Sequence, residues 1–163
     1  MQQCPEEGVA PVVVALQLCL PAQREAPASA RRALTALSTY VSDELFRRVE
    51  LVVSELVTNS VRHAGLTPGD SIHIAVHIDG GMLRGEVADP GTGFDATVRL
   101  PCTEQTGGYG LFLVSQLTNR WGVADDGATR VWFELLAASG SPSPATPTRT
   151  GSPAPRRRAR AGR

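Results

Sequence analysis

Apolar and polar positions recur with a helical period between residues 45 and 63. Leu45, Val49, Val52, Leu56, Asn59 and His63 follow one another at spacings of 4, 3, 4, 3 and 4. That spacing places all six on one face of an α-helix. The first four are apolar and suit a core. Asn59 and His63 are polar where apolar residues are expected, and Glu55 sits one turn before Asn59 on the same edge. A buried Asn without partners costs a few kcal/mol, so a ligand, a metal ion or a local polar network is expected to bond it.

The remaining pattern reads as short strands and two further helices. Val12–Leu20 is β-branched at its start and bounded by Pro11 and Pro21, which predicts a strand. Ala28–Tyr40 has helical periodicity through Ala33, Leu34 and Leu37. Ser42 or Asp43 is placed to cap the central helix, and Gly65 to end it. Ile72, Ile74, Val76 and Ile78 alternate with His73, Ala75 and His77, the signature of a half-buried strand. Asp79-Gly80-Gly81 predicts a hairpin turn into a returning strand, Met82–Ala88. Phe94–Thr106 lacks periodicity and reads as a loop. Leu111 to about Asn119 reads as a helix, and Trp121–Ala124 with Arg130–Leu136 as a final hairpin. The order β-α-α-β-β-loop-α-β-β predicts an α+β fold, a two-layer α/β sandwich with a mostly antiparallel sheet.

Composition sharpens this picture. All sixteen basic residues are Arg, and there is no Lys. A Walker P-loop, a Schiff-base lysine and the lysine of ordinary protein kinases are therefore excluded. Residues 1–140 carry ten Arg against sixteen Asp and Glu, a net of −6, whereas residues 141–163 carry six Arg and no acid, a net of +6. The chain divides into a leader (1–10), an acidic folded domain (11–138) and a Pro-, Ser- and Arg-rich tail (139–163) expected to be disordered. The Arg156-Arg157-Arg158 cluster reads as a solvated tail, or alternatively as an electrostatic lure for an acidic partner. Three cysteines without metal-type spacing fit a reducing cytoplasm. No apolar run approaches the roughly 20 residues of a membrane span. His73 and His77 share a strand face about 13 Å apart, too far to chelate one metal, so both are expected to face solvent. Trp121, Trp132 and Phe133 are expected in the core rather than as a stacking platform.

Three short motifs could carry chemistry. Asp89-x-Gly91-x-Gly93 follows a strand, so backbone could approach a ligand closely while the carboxylate accepts from an exocyclic amine. Alone it equally describes a glycine turn. Gly107-Gly108-Tyr109-Gly110 opens a helix, where free N–H groups and the dipole favour phosphate. Alone it equally describes a loop. In the Glu55/Asn59 pair, the Asn carbonyl oxygen is a hard ligand suited to Mg²⁺, and the carboxylate could take a proton from an attacking hydroxyl. Alone it equally describes a polar helix edge.

Taken together, these motifs resemble a known family. E55-x-x-x-N59-x-x-x-H63-A is similar to the N-box of the GHKL (histidine kinase-like) ATP-binding superfamily, D89-P-G-T-G93 to its G1 box and G107-G-Y-G110-L-F-L-V to its G2 box. The phrase S-E-L-V-T-N-S-V-R-H-A-G resembles the anti-sigma-factor serine/threonine kinase branch and its actinobacterial relatives. The similarity spans about residues 12–136.

The resemblance implies a Bergerat-type ATP-binding fold with helices on one face of the sheet. It implies ATP and Mg²⁺ as cofactors, with Asn59 on the metal and Glu55 as catalytic base. Asp89 would bond the adenine amino group, with Gly91 and Gly93 allowing close approach. Phe94–Thr106 would form a lid, and Gly107, Gly108, Tyr109, Gly110 and Leu111 would line the phosphates. His63 either caps the helix end or sits near the phosphates, and Thr129 is placed near the base edge. In that branch the phosphoryl group passes to a Ser or Thr of an anti-anti-sigma partner of the STAS type, which frees or captures a sigma factor. The folded domain would not itself bind nucleic acid, and a homodimer is compatible with the family.

Two departures stand out. Relatives often carry Arg where this chain has Tyr109, leaving Arg62 and Arg99 as candidate replacements. Relatives also carry Thr directly before the last strand, where this chain has Arg130, with Thr129 one residue earlier. These changes bear on transfer more than on binding, so an ATP-dependent binding module that never transfers phosphate is the alternative.

Overall fold

The structure, a computed structural model, describes residues 14–79, 81–91, 109–125, 127–136 and 148–150. In chain order it contains β1 (Val14–Pro21), α1 (Ala26–Leu34), a 3₁₀ turn (Thr35–Leu37), α2 (Asp43–His63), β2 (Ser71–Asp79), β3 (Met82–Asp89), α3 (Tyr109–Leu117), β4 (Arg120–Asp125), β5 (Thr129–Leu136) and a short β6 (Thr148–Thr150). The strands form one sheet in the order β1-β2-β3-β5-β4-β6. Every pair is antiparallel except β4–β6. The expected α+β sandwich with a mostly antiparallel sheet is the observed one.

Helix α2 is the centre of the helical layer. The Ser42 hydroxyl accepts from the Leu45 N–H at 3.3 Å, and Asp43 and Glu44 stand in the first turn, where the helix dipole favours negative charge. At the other end Ala64 is the C-cap and Gly65 takes φ +67°, the left-handed turn that ends a helix. Leu45, Val49, Val52 and Leu56 are all buried, Asn59 is half-buried and His63 is exposed. The stripe is thus core for most of its length and leaves the core where its polar members begin. Helix α2 packs between α1 and α3 and lies over β3 and β5, while α1 meets β1 and α3 meets β4.

Helix α1 begins at Ala26, two residues before the pattern suggests, because Pro27 suits a first helical turn. It also tightens into the 3₁₀ turn at Thr35 rather than running to Tyr40. There the Thr35 hydroxyl donates to the Arg32 carbonyl at 2.6 Å and the Ser38 hydroxyl to the Thr35 carbonyl at 2.8 Å.

The sheet's inner face carries Ile72, Ile74, Val76, Leu83, Val87, Val131, Phe133 and Leu135 in the core. Gly85 pairs with Phe133, whose ring fills the space a side chain at Gly85 would need. Trp121 and Phe133 are fully buried, as expected. Trp132 points to the opposite face, where the Arg84 and Arg120 guanidinium groups lie 4.7 and 5.9 Å from its ring centroid. Glu134 bridges the same two arginines at 2.6 and 3.3 Å. His73 and His77 also lie on this face and are exposed. Within the stretch expected to be a tail, Thr148–Thr150 pair with Gly122–Ala124 along the outer edge of β4. Among the described residues no helix is long and apolar enough to cross a membrane.

Helix α3 runs against β4 and is anchored at its C-terminus from a distance. Arg48 of α2 donates from Nε and Nη2 to the Leu117 carbonyl at 3.1 and 2.7 Å. A guanidinium on the last carbonyls satisfies an acceptor and opposes the dipole's negative end. Arg48→Ala is expected to lower stability by about 1–2 kcal/mol. In thermal unfolding that is a fall of roughly 3–8 °C. An unchanged melting temperature would mean that packing alone holds α3.

Candidate functional site

Three chain segments meet at one end of the sheet. Strand β3 ends at Asp89, β5 begins at Thr129, and these two residues are register partners. The end of α2 closes over both. Asp89 is only 5% exposed and Thr129 only 4%. A buried carboxylate needs donors, and among the described residues Asp89 has one on each oxygen. The Ser60 hydroxyl donates to Oδ2 at 2.6 Å, and the Gly91 N–H donates to Oδ1 at 2.9 Å. The Thr129 hydroxyl donates in turn to the Gly91 carbonyl at 2.9 Å.

Gly91 is required here by space. A Cβ on it would lie 2.5 Å from the Ala64 carbonyl oxygen, 2.6 Å from Ala64 Cβ and 2.9 Å from Asp89 Oδ1. Two of those three obstacles are the α2 cap, so the end of α2 and the turn after β3 are pressed together. Any side chain would push the turn off the helix and pull the Gly91 N–H from Asp89.

The second half of the site lies one residue earlier on α2. A Cβ on Gly110 would fall 2.7 Å from Asn59 Nδ2 and 3.1 Å from its Oδ1. The Asn59 amide therefore lies directly against the first turn of α3. The N–H groups at the start of a helix lack partners within it, and with an amide able to offer a carbonyl oxygen they are a donor set suited to an anion and its counter-cation. Among the described residues no three His, Cys, Asp or Glu side chains converge on a metal position. A Mg²⁺ ion here would take Asn59 as a protein ligand and complete its shell with phosphate oxygens and water, the usual habit of this ion.

Of the other residues singled out by sequence, Glu55 is half-exposed, one turn before Asn59 on α2. His63 is the last residue of α2 and is exposed. Leu111 is a core residue, leaving its backbone in the first turn of α3 as the group on the site side. Gly93, Gly107, Gly108 and the expected lid Phe94–Thr106 lie outside the described residues, as does the side chain of Tyr109. The offset at the last strand resolves by register. Thr129 pairs with Asp89 and faces the site, whereas Arg130 pairs with Ala88 on the opposite face and contacts Glu86 at 3.1 Å. Sequence reasoning missed Ser60. The signal was present, since Val53, Val57 and Ser60 continue a core-facing row at spacings of 4 and 3.

Comparison with known proteins bears on the fold and the family. The crystal structure of the RsbU and RsbW domains of Rv1364c from Mycobacterium tuberculosis has a similar fold, with a TM-score of 0.60 and 20% sequence identity. The alignment covers 78% of this chain and 34% of that one, so the chain spans about a third of that neighbour. No curated protein matches. A family model described as a histidine kinase-like ATPase domain matches residues 20–135, most of the chain and every segment that builds the site. The chain belongs to the histidine kinase-like ATPase domain family.

Proposed function

We propose that this domain binds ATP with Mg²⁺ and acts as an anti-sigma-factor-type serine/threonine kinase on an anti-anti-sigma partner of the STAS class, regulating transcription in the cytoplasm by partner switching. One observation carries the proposal. Adjacent residues of α2, Asn59 and Ser60, reach the first turn of α3 and the buried Asp89 respectively. One helix turn thus joins an anion site to a carboxylate able to receive a base. The E55-x-x-x-N59 phrase and the likeness to a structure containing an RsbW domain support the same branch.

On this reading each residue has a defined task. Asp89 accepts from the exocyclic amine of adenine, and Gly91 lets the base lie close to backbone. The first-turn amides of α3 hold phosphate oxygens, and Asn59 offers its carbonyl oxygen to the ion. The ion supplies charge neutralisation at the transferring phosphoryl group when bound. Glu55, half-exposed at the rim, takes the proton from the incoming Ser or Thr hydroxyl as that oxygen bonds to the terminal phosphorus and the bond to the leaving phosphate oxygen breaks. His63 adds to the rim, and Thr129, bonded to the Gly91 carbonyl, lies at the base edge.

A specific feature favours a second reading, an ATP-dependent binding module without transfer. The chain has no Lys, and Tyr109 supplies no charge where a cation could touch phosphate. The two readings separate on Glu55. With Glu55→Ala, ATP binding is expected to stay within about threefold. Phosphoryl transfer from labelled ATP to a STAS-domain protein is expected to fall by about 10²-fold or more, the scale of general-base loss. If the wild type binds ATP and labels no such protein, the binding-module reading replaces the kinase reading.

Asn59→Ala is expected to remove most of the Mg²⁺-dependent part of the ATP affinity, measured by titration with and without the ion. Affinity that rises with Mg²⁺ as steeply in the variant as in the wild type would remove Asn59 from the metal.

A further inference from the structure

The hydroxyl of Ser60 behaves differently from those of Thr58, Ser115 and Thr118. Thr58 donates to the Ser54 carbonyl at 2.7 Å, Ser115 to the Phe112 carbonyl at 2.7 Å and Thr118 to the Val114 carbonyl at 2.7 Å. Each bonds back to the turn before it, the usual resort of a hydroxyl in a helix. Ser60 instead donates across to Asp89 on β3, at 2.6 Å, from a position only 6% exposed. Its single proton is thereby committed to Asp89 Oδ2.

We infer that Ser60 is a positioning residue for purine selection: by holding Asp89, it makes the carboxylate discriminate a purine with an exocyclic amino group from one with a carbonyl at the same place. The inference rests on the reading of Asp89 as the base-recognising group. Its physical basis is donor and acceptor accounting. A carboxylate oxygen has room for about two hydrogen bonds. Ser60 takes one place on Oδ2 and the Gly91 N–H one place on Oδ1, which fixes the plane of the group and leaves acceptor capacity on both oxygens. The Ser60 oxygen, its proton spent, also has only lone pairs to offer. The Ser60–Asp89 pair is therefore an acceptor toward any ligand beside it. An amino group satisfies it, whereas a carbonyl sets acceptor against acceptor and leaves the pair unbonded, the arrangement that gives strong rejection.

Without the Ser60 hydroxyl, Oδ2 loses its tether while Oδ1 keeps the Gly91 N–H, so the carboxylate can turn about its χ2. Selection should weaken before the fold does, because the Gly91 and Thr129 bonds and the β3–β5 pairing remain.

The test compares ATP and ITP, in which the 6-amino group becomes a carbonyl and N1 gains a hydrogen, binding to the full chain. Wild type is expected to prefer ATP. Ser60→Ala is expected to lower the ATP/ITP affinity ratio by about tenfold through weaker ATP binding, the scale of one hydrogen bond to a charged group. Ser60→Cys, close in shape with a weaker donor, is expected to fall between the two. Thermal unfolding of each variant reports whether it folds. Equal loss for both nucleotides, or an unchanged ratio in Ser60→Ala while Asp89→Asn collapses it, overturns the role of Ser60 and leaves Asp89 as the base-recognising group. A wild type without preference, or an Asp89→Asn variant that keeps it, overturns the reading of Asp89 itself.

Discussion

A carboxylate taken out of water has to be bonded on every side or it destabilises the fold that buries it. Asp89 sits under that constraint at the end of β3, and the architecture around it follows. One donor has to come from the helical layer, and Ser60 supplies it from the last turns of α2. Another has to come from the turn after the strand, and the Gly91 N–H supplies it. That turn can reach back only if nothing projects from residue 91, because Ala64 lies against it. The turn is then held from the far side by Thr129, which is in position because β5 pairs with β3 in the register that sets Thr129 opposite Asp89. Helix, turn and two strands thus converge on one acceptor. Beyond the donors that the described residues supply, the proposed reading assigns that acceptor's further capacity to a ligand's donor.

The same helix meets two incompatible demands by dividing its length. From Leu45 to Val57 its inward positions are apolar and lie over the central strands, where each large buried side chain contributes about 1.5–3 kcal/mol. From Asn59 to His63 the inward row turns polar, and the helix passes from core to site within about one turn. Because a rigid helix carries both, the spacing between Asn59 at α3 and Ser60 at Asp89 is set by backbone geometry rather than by a loop. The Arg48 bond to the end of α3 belongs to the same arrangement. It ties the far end of α3 to α2, so the first turn of α3 keeps its place against Asn59.

Much of this was legible because local pattern and tertiary role agree. The helical stripe with a polar end, the alternation over Ile72–Ile78 and the Asp followed by glycine at a strand end each hold in the fold. What was not legible depends on pairing between distant segments. A strand's side chains alternate faces, so which of Thr129 and Arg130 enters the site turns on register with a strand some forty residues earlier. Trp132 is the same case. It is buried, as its aromatic character predicts, but parity puts it on the face away from the helices, where Arg84 and Arg120 cover it. Arg48 carries no local sign of its acceptor, since Leu117 is 69 positions away. Ser60 differs from these. It continues a core-facing row after Val53 and Val57 and was readable by the reasoning that singled out Asn59, but a small hydroxyl in a helix usually bonds its own backbone and draws little notice.

The charge balance bears on how the two halves of the site divide their work. On the proposed reading the base end has its selectivity built in, from a carboxylate and the groups that hold it. The phosphate end has little fixed positive charge. Residues 1–140 are acidic overall and the chain lacks Lys, while a helix N-terminus contributes only about half an elementary charge. A triphosphate carries several negative charges, so on the proposed reading its neutralisation falls to an ion arriving with the nucleotide or to arginines. Asn59 is suited to the first route, because a neutral carbonyl oxygen can hold a cation without adding to the negative charge already there. Recognition of the base and grip on the phosphates are then energetically separate although one helix turn builds both. On that reading, adenine nucleotide binds through Asp89 whether or not the far end is competent to transfer a phosphoryl group.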